Sequence, residues 1–209
     1  MKSAFIVFEG IDGCGKSTQA EILAEYFSQM GKECVLTREP SDGKVGQLLR
    51  QALRGEVKFC EQTMAALFAA DRLDHLTNQE NGVLKALSEG KIVICDRYYL
   101  STYAYQSVEV DLEWAMALNS QAAQIARPTV NIYLDISVDK ALERISRNRS
   151  QIDIYESKER LSQTKKSYEK VIAKLKAEEN ILIIQGEQSL EEVAQNIRQS
   201  LEKLGLFEE

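Results

Sequence analysis

The chain has 209 residues, of which 44% are hydrophobic and 28% charged, and its formal net charge at pH 7 is −6. That length and composition are typical of one soluble globular domain, and we expect a single domain over residues 1–209. The excess of acidic residues argues against a nucleic-acid-binding protein, which needs a broad basic surface. No apolar stretch approaches the ~20 residues of a membrane span, and no signal-type segment opens the chain. We therefore expect a cytoplasmic protein with no membrane partner.

The first half of the chain alternates short apolar runs with helical patterns. Residues 4–9 are apolar and rich in β-branched and aromatic side chains, which predicts a strand. A glycine loop follows, and a helical pattern then covers residues 16–30. The next predicted elements are a strand at 34–37, helices at 45–53, 61–78 and 82–88, and a strand at 92–95.

The second half continues the alternation. The predicted elements are a helix at 112–126 that Pro128 ends, a strand at 130–134, a helix from about 138, an arginine-rich connection at 147–150, a charged helix at 158–176, a strand at 181–184 and a helix at 190–204. Apolar strands that alternate with helices predict a five-stranded parallel sheet covered by helices on both faces. Ligands bind such sheets beyond the carboxyl ends of the strands, so the loops after the strands are the ones to inspect.

The four cysteines are widely spaced without a C-x-x-C pair, and the chain has one histidine. This pattern predicts neither a zinc site nor a disulfide framework. Cys14 differs from the others because it lies in a glycine-rich loop beside a lysine, where the pKa of a thiol tends to fall. His75 lies in a charged helical pattern with no nucleophile beside it, and we interpret it as a surface or partner-contact residue.

A phosphate-binding motif directly follows the first strand. The segment from Gly10 to Ser17 reads G-I-D-G-C-G-K-S and matches G-x-x-x-x-G-K-[ST], with the strand before it and the helix after it that the motif requires. In such a loop the backbone N–H groups turn inward around phosphates, Lys16 reaches the β- and γ-phosphates, and the Ser17 hydroxyl can ligate Mg²⁺. We expect ATP to be bound by Gly10, Ile11, Asp12, Gly13, Cys14, Gly15, Lys16, Ser17 and Thr18.

Two further strand ends carry arginine. Arg38 follows the second strand in T-R-E-P, and Arg97 follows the third strand in D-R-Y, beside Asp96. These residues bring positive charge to the expected ligand edge of an acidic protein, although a single arginine in such a loop is as often a surface ion-pair partner. The chain contains no N-K-x-D segment of the kind that reads guanine, which argues against a GTPase.

Four segments together resemble the motifs of the thymidylate kinase family, in the family's order. They are E-G-x-D-G-x-G-K-S-T-Q at 9–19, T-R-E-P at 37–40, F-A-A-D-R at 68–72 and D-R-Y-x-x-S-x-x-A-Y-Q at 96–106. The resemblance runs from about residue 3 to residue 204. It implies a P-loop NTPase fold with three α/β/α layers, a five-stranded parallel sheet and an arginine-bearing lid over about 144–157. It also implies a homodimer that transfers the γ-phosphoryl group of Mg-ATP to dTMP, giving dTDP for dTTP supply.

The resemblance assigns the acceptor site residue by residue. Arg38 and Arg97 would hold the dTMP phosphate, which guanidinium groups bind in bidentate fashion. Asp12 would receive the sugar 3′-hydroxyl, and Asp96 with Ser17 would hold Mg²⁺ or its waters. The base pocket would consist of Phe68 stacked on thymine, Arg72 on the edge of the base, Ser101, Thr102, Tyr105 and Gln106 around it, and Tyr155 against a ribose 2′-hydroxyl. The alternative interpretation places Phe68 in the core and Arg72 in solvent.

The connection that contains Arg144, Arg147 and Arg149 matches the family lid. Members of the family carry either a basic residue inside the phosphate-binding loop or catalytic arginines in the lid, and residues 11–14 here carry no basic side chain. The resemblance therefore implies that Arg147 and Arg149 meet the γ-phosphate charge as an arginine finger supplied in cis, and complete a catalytic set with Asp12, Lys16 and Arg97. A solvated run of charges is the alternative. The chain departs from the family at 41–43, which reads Ser-Asp-Gly and not Gly-Gly-Thr, and at 153–156, where an arginine often precedes an aromatic residue and a glutamate.

Two other functions stay open from the sequence. The first is a kinase of the same fold that acts on dUMP, dCMP or a nucleoside, and the pair Arg38 and Arg97 favours a monophosphate acceptor over a nucleoside. The second is a regulatory ATP-binding module without catalysis, against which Asp12, Lys16 and Arg97 argue.

Overall fold

The computed structural model describes residues 3–148 and 154–206. Its five strands form one parallel sheet in the order β2-β3-β1-β4-β5. The strands are β1 (Phe5–Glu9), β2 (Cys34–Arg38), β3 (Ile92–Asp96), β4 (Val130–Asp135) and β5 (Ile181–Gln185). All five residues of β1 are buried, because the central strand has a neighbour on each side and helices over both faces. The predicted α/β class and the parallel sheet are confirmed.

Ten helices connect and cover these strands in the described part of the chain: α1 (Lys16–Gln29), α2 (Lys44–Leu53), α3 (Glu61–Thr77), α4 (Val83–Ser88), α5 (Tyr99–Gln106), α6 (Leu112–Leu118), α7 (Ser120–Ile125), α8 (Val138–Asn148), α9 (Lys158–Leu175) and α10 (Leu190–Lys203). Helices α1 and α10 pack together beside the sheet, while α5 packs between α3 and α9. No helix of residues 3–148 or 154–206 is both long and apolar enough to cross a membrane.

The predicted helix over 112–126 is wrong as one element, because the chain turns at Asn119 and forms α6 and α7. The Asn119 carboxamide Nδ2 donates to the Ala115 carbonyl oxygen at 2.8 Å. The backbone N–H of Asn119 donates to the carbonyl oxygen of Met116, whereas in a continuous α-helix it would donate to that of Ala115. The side chain thus takes the acceptor that the backbone would otherwise use, which is how asparagine competes with helical hydrogen bonding.

Helix α5 was not predicted from the sequence. All eight of its residues are buried, so the segment shows no alternation between a polar and an apolar face. A helix that is enclosed on every side lacks the periodicity by which helices are recognised. Helix α5 contains most of the motif segment at 96–106, and its Ser101 hydrogen-bonds Glu9 at the end of β1.

Candidate active site

The glycine-rich loop between β1 and α1 is compact. Gly13 lies in the left-handed region at φ +78°, and a Cβ atom there would come within 2.5 Å of the Ala141 carbonyl oxygen in α8. Glycine is therefore required at this turn. Lys16 is only 6% exposed, and its Nζ donates hydrogen bonds of 3.0 Å to the carbonyl oxygens of Gly10 and Ile11. The ammonium group thus lies inside the loop.

A cavity of about 500 Å³ borders this loop, a volume within the range of small-ligand sites. Seven of the nine residues predicted to bind ATP line it: Asp12, Gly13, Cys14, Gly15, Lys16, Ser17 and Thr18. The other two, Gly10 and Ile11, contact Lys16 through their carbonyl oxygens. The connection between β5 and α10 also lines the cavity, through Gly186, Gln188 and Leu190, which no motif indicated. We call this space the donor cavity.

Two oxygen-bearing side chains beside the donor cavity fit a magnesium ion. The Ser17 hydroxyl donates a hydrogen bond to Asp96 Oδ2. Asp96 Oδ1 is buried and has no hydrogen-bond partner among the residues that the structure describes. Mg²⁺ accepts few protein oxygens and keeps waters or phosphate oxygens at its other positions. The oxygens of Ser17 and Asp96, the two predicted metal ligands, therefore fit Mg²⁺ in chemistry and in number.

Arg97 occupies the centre of the carboxyl edge of the sheet. Its backbone has φ +73°, a left-handed conformation that is strained for a residue with a side chain, and its N–H donates to the Phe8 carbonyl oxygen at 2.9 Å. The guanidinium donates to the Gly10 carbonyl oxygen at 3.1 Å and to Ser101 Oγ at 3.0 Å. Strained conformations of this kind concentrate at functional sites. Both the backbone and the side chain of Arg97 are thereby fixed against β1 and the phosphate-binding loop.

Asp12 and Arg97 form an ion pair of 2.6 Å, and Tyr105 hydrogen-bonds both side chains, at 2.8 Å to Asp12 Oδ2 and 3.1 Å to Arg97. Burial acts to raise the pKa of the Asp12 carboxyl, but the charges of Arg97 and Lys16 outweigh it and lower that pKa to about 2. Asp12 is therefore a carboxylate at every pH where the protein would work. It accepts hydrogen bonds and does not carry a proton.

A second cavity, here called the acceptor cavity, lies on the other side of this ion pair. Nine of the ten residues predicted to bind dTMP line it: Asp12, Phe68, Arg72, Arg97, Ser101, Thr102, Tyr105, Gln106 and Tyr155. Its lining also includes Glu39, Pro40 and Leu53, which were not assigned to the site. Aromatic rings and a few polar groups that converge on one space are typical of a site for a flat heterocycle.

Arg38 is the predicted acceptor residue that the structure does not bring into this cavity. Its side chain is 64% exposed and pairs with Asp42 at 3.2 Å. It lines an adjoining cleft together with Ser17 and Asp96. Arg38 thus lies beside the predicted metal ligands, at the phosphate end of the site and away from the base pocket.

The interpretation of Arg72 as a solvent-exposed residue is wrong. Arg72 is 1% exposed, pairs with Glu39 at 2.6 Å, and donates to Thr102 Oγ1 at 3.2 Å and to the Asn119 carboxamide oxygen. Phe68, one turn earlier on α3, is half-buried and faces the same cavity. The predicted pairing of these two residues on one face of a helix is confirmed.

Comparison with known proteins decides the family. The model of the family "Thymidylate kinase" matches residues 8–197, nearly the whole chain. The chain belongs to the thymidylate kinase family. It is 46% identical over 151 residues to a probable thymidylate kinase of Pyrococcus horikoshii, covering 69% of this chain and 71% of that one. A probable thymidylate kinase of Methanococcus aeolicus is 39% identical over 202 residues, 94% and 95% of the two chains. A putative thymidylate kinase of Treponema pallidum is 39% identical over 170 residues, 81% and 79%.

In this thymidylate kinase family member, the predicted lid begins in α8. Arg144 donates to the carbonyl oxygens of Cys14 at 3.1 Å and Gly186 at 2.8 Å, so it joins two walls of the donor cavity. Arg147 lines the same cavity, is 73% exposed, and pairs with Glu143 at 2.6 Å. Arg149 lies outside the described residues. The structure thus places one of the two predicted lid arginines at the donor cavity.

Tyr155, after the lid, closes one side of the acceptor cavity and is 5% exposed. Its hydroxyl donates to Glu61 Oε2 at 3.0 Å and accepts from Gln106 at 3.4 Å, and the Arg160 guanidinium lies 4.9 Å from the centre of its ring. These contacts join α3, α5 and α9 around one aromatic ring. The departure from the family pattern before Tyr155 therefore leaves the tyrosine itself well anchored.

Glu9 is a buried residue of the site to which sequence reasoning gave no role. Its carboxylate accepts from the backbone N–H groups of Tyr98 and Ser101 and from the hydroxyls of Ser101 and Tyr168, at 2.5–3.2 Å. Burial raises the pKa of Glu9, although these donors and Arg97 act to lower it. The available signal was a charged glutamate at the end of an otherwise apolar strand, directly before the phosphate-binding motif.

Two predictions about single residues are wrong. Cys14 was expected to have a lowered thiol pKa, but burial raises it despite the nearby charges of Lys16 and Arg97. His75 was expected at the surface, but it is 8% exposed and both ring nitrogens have partners, Glu39 at 3.2 Å and Thr37 at 2.7 Å. In both cases neighbours in space outweigh the neighbours in sequence on which the prediction relied.

Proposed function

We propose that this protein is an ATP-dependent dTMP kinase, which transfers the γ-phosphoryl group of ATP to the 5′-phosphate of dTMP and releases ADP and dTDP. The observation that carries the proposal is that the Asp12–Arg97 ion pair lines both the donor cavity, with its phosphate-binding loop, and the acceptor cavity, with its aromatic walls. A kinase needs a donor site and an acceptor site that meet at the reacting atoms. Membership of the thymidylate kinase family supports dTMP as the acceptor.

In the donor cavity, the backbone N–H groups of residues 10–15 and the start of α1 would bind the β- and γ-phosphates. The buried Lys16 ammonium would exchange its contacts with Gly10 and Ile11 for phosphate oxygens. Ser17 and Asp96 would hold Mg²⁺, which when bound neutralises phosphate charge. Gly186, Gln188 and Leu190, which line the same cavity, would contact the adenosine end of the nucleotide.

In the acceptor cavity, Phe68 would stack on thymine and Arg72 would donate to a carbonyl oxygen at its edge. Arg72 Nε is buried and has no partner within the described ranges, so it retains donor capacity for a ligand. Asp12 would accept from the sugar 3′-hydroxyl, as its lowered pKa allows. Arg97 and Arg38 would hold the 5′-phosphate, with Arg97 between the two cavities and Arg38 at the cleft beside Ser17.

The chemical step forms a bond between a dTMP phosphate oxygen and the γ-phosphorus and breaks the bond from that phosphorus to the β–γ bridging oxygen, which leaves with ADP. Negative charge on the transferred group must be met as it develops. Lys16 and Arg97 would meet this charge, and Arg147 and Arg149 would add positive charge when the lid closes. Enclosure by the lid would also keep water from taking the phosphoryl group.

Oligomeric state and domain number are part of the proposal. The family is commonly dimeric, and we infer that this chain forms a homodimer of single-domain subunits. Light scattering coupled to size-exclusion chromatography tests the inference, with a mass near twice the 23.6 kDa of one chain as the expected result. A mass of one chain at working concentrations would contradict it.

A coupled ADP-release assay tests the activity. Purified protein with Mg-ATP is offered dTMP, dUMP, dCMP, thymidine or no acceptor. We expect dTMP to give the highest kcat/KM. Preference for another monophosphate or for thymidine would support the related kinases, and binding of ATP without ADP release on any acceptor would support a regulatory module.

A further inference from the structure

Four polar side chains form a connected chain that reaches the acceptor cavity, and two of them, Glu39 and Arg72, line that cavity. Thr37, at the end of β2, contacts His75 Nε2 at 2.7 Å, and His75 Nδ1 contacts Glu39 Oε1 at 3.2 Å. Glu39 Oε2 pairs with Arg72 at 2.6 Å. The side chains of Glu39, Arg72 and His75 are 2%, 1% and 7% exposed. A buried ion is costly unless partners surround it. Glu39 and Arg72 are buried, so breaking their contacts would be costly and the arrangement is held in place.

The proton on His75 is determined by its neighbours. A carboxylate only accepts hydrogen bonds, so Nδ1 must carry the proton that His75 shares with Glu39. In the neutral ring Nε2 then accepts from the Thr37 hydroxyl, and in the charged ring it donates to the same oxygen. Either way both nitrogens are used and the ring has one orientation.

His75 and Arg72 are three residues apart on α3, so their side chains project from one face of the helix. Both contact the same carboxylate, one at each oxygen. The Glu39 carboxylate therefore connects the His75 ring to the guanidinium of Arg72. On its other side Arg72 bonds Thr102 and Asn119, which leaves it a single orientation at the cavity wall.

We propose that His75 is a positioning residue that acts through Glu39 to hold Arg72 in the orientation that binds the base of the acceptor nucleotide. The proposal deepens the proposed function and rests on it, because it presumes that a pyrimidine occupies the acceptor cavity. His75 itself does not line that cavity. Its effect on the ligand would pass through the side chains of Glu39 and Arg72. A purely structural residue would stabilise the fold without affecting one substrate more than the other.

The test compares substitutions at His75 with a matched neighbour. His75→Leu removes both contacts, whereas His75→Asn keeps an amide N–H near the position of Nδ1. Leu76→Ala is the control, because Leu76 is the next residue on α3, is fully buried, and belongs to the hydrophobic core. Steady-state KM for dTMP and for ATP, kcat and Tm are measured for each variant of the full chain.

We expect H75L to raise KM for dTMP about tenfold while KM for ATP and kcat stay within about twofold of the wild type. H75N should recover most of the dTMP affinity, and L76A should lower Tm without a selective change in either KM. Equal changes in both KM values, an unchanged KM for dTMP, or no recovery in H75N would overturn the proposal.

Should H75L fail to fold, Thr37→Val provides the second measurement. It removes only the hydroxyl that fixes Nε2, and we expect KM for dTMP to rise about threefold with KM for ATP unchanged. An unchanged KM for dTMP would count against the positioning role. Absence of dTMP-dependent ADP release by the wild type is a different result, since it would overturn the proposed function and the positioning role with it.

Discussion

The ion pair between Asp12 and Arg97 predicts a pH-dependent contribution to stability that one substitution isolates. Asp12→Asn keeps the shape of the side chain and removes its charge. In the folded protein the pKa of Asp12 falls from 3.8 to about 2. At about 1.4 kcal/mol for each pKa unit, the charged carboxylate stabilises the fold by ~2 kcal/mol at neutral pH. Water screens this ion pair weakly, because the side chains of Asp12 and Arg97 are only 24% and 16% exposed.

The sign of the pH dependence follows from the direction of the pKa change. Folding lowers the pKa of Asp12, so the stabilisation is complete above the unfolded value of 3.8 and is lost as pH falls toward the folded value of about 2. We therefore expect wild type and D12N to differ by ~2 kcal/mol at pH 7 and pH 5, and by about half of that at pH 3.

Urea unfolding followed by circular dichroism measures the difference, at pH 7, 5 and 3. Asp139→Asn is the matched control, because it makes the same chemical change in an ion pair, with Lys158 at 2.7 Å, whose members are 80% and 62% exposed. Exposed pairs contribute little, so D139N should leave the free energy of unfolding unchanged within error. A difference for D12N as large at pH 3 as at pH 7 would refute the electrostatic explanation, and so would no difference at pH 7.

Three further substitutions test the proposed roles. Lys16→Ala should abolish turnover with an unchanged circular dichroism spectrum, and activity within about tenfold of the wild type would exclude its role at the phosphates. Arg72→Ala leaves the buried Glu39 carboxylate without its guanidinium partner, so it should destabilise the fold by about 3–5 kcal/mol and raise KM for dTMP more than for ATP; adding Glu39→Gln should restore stability and not the KM. Replacing Arg147 and Arg149 together with alanine should lower kcat on the order of 10³-fold while calorimetry shows unchanged dTMP binding, whereas an unchanged kcat would assign the charge to another residue.

The sequence predicted the strands well because each is a short, mainly apolar run bounded by loop residues. It predicted the phosphate-binding loop because backbone geometry there requires glycine at Gly13, and the requirement is visible as a motif. It missed α5, which has no polar face, and the turn at Asn119, which a side-chain hydrogen bond creates. Hydrophobic periodicity in a sequence marks a helix with one face in the core and one in solvent. Helix α5 has no solvent face, and the turn at Asn119 depends on a single side chain.

The acceptor residues were predicted from a resemblance and not from physical pattern alone, and the structure shows why. Without the surrounding motifs, the spacing of Phe68 and Arg72 would have favoured a core phenylalanine and a solvated arginine. Arg72 is buried because Glu39 and Asn119, far away in sequence, provide partners for its charge and its N–H groups. The same long-range contacts explain the wrong prediction for His75. Buried polar networks assemble only when the chain is folded, so local sequence carries little sign of them.

The wall shared by the donor and acceptor cavities has a thermodynamic consequence. Asp12 and Arg97 line both spaces, so a ligand that reorients either side chain in one cavity changes the site offered to a ligand in the other. Two ligands linked in this way must affect each other equally: the factor by which the first alters the affinity for the second is the factor by which the second alters the affinity for the first. Calorimetry can titrate dTMP, and separately a non-hydrolysable ATP analogue, each with and without the other nucleotide present. The change in binding free energy that the analogue causes for dTMP should equal, in size and sign, the change that dTMP causes for the analogue.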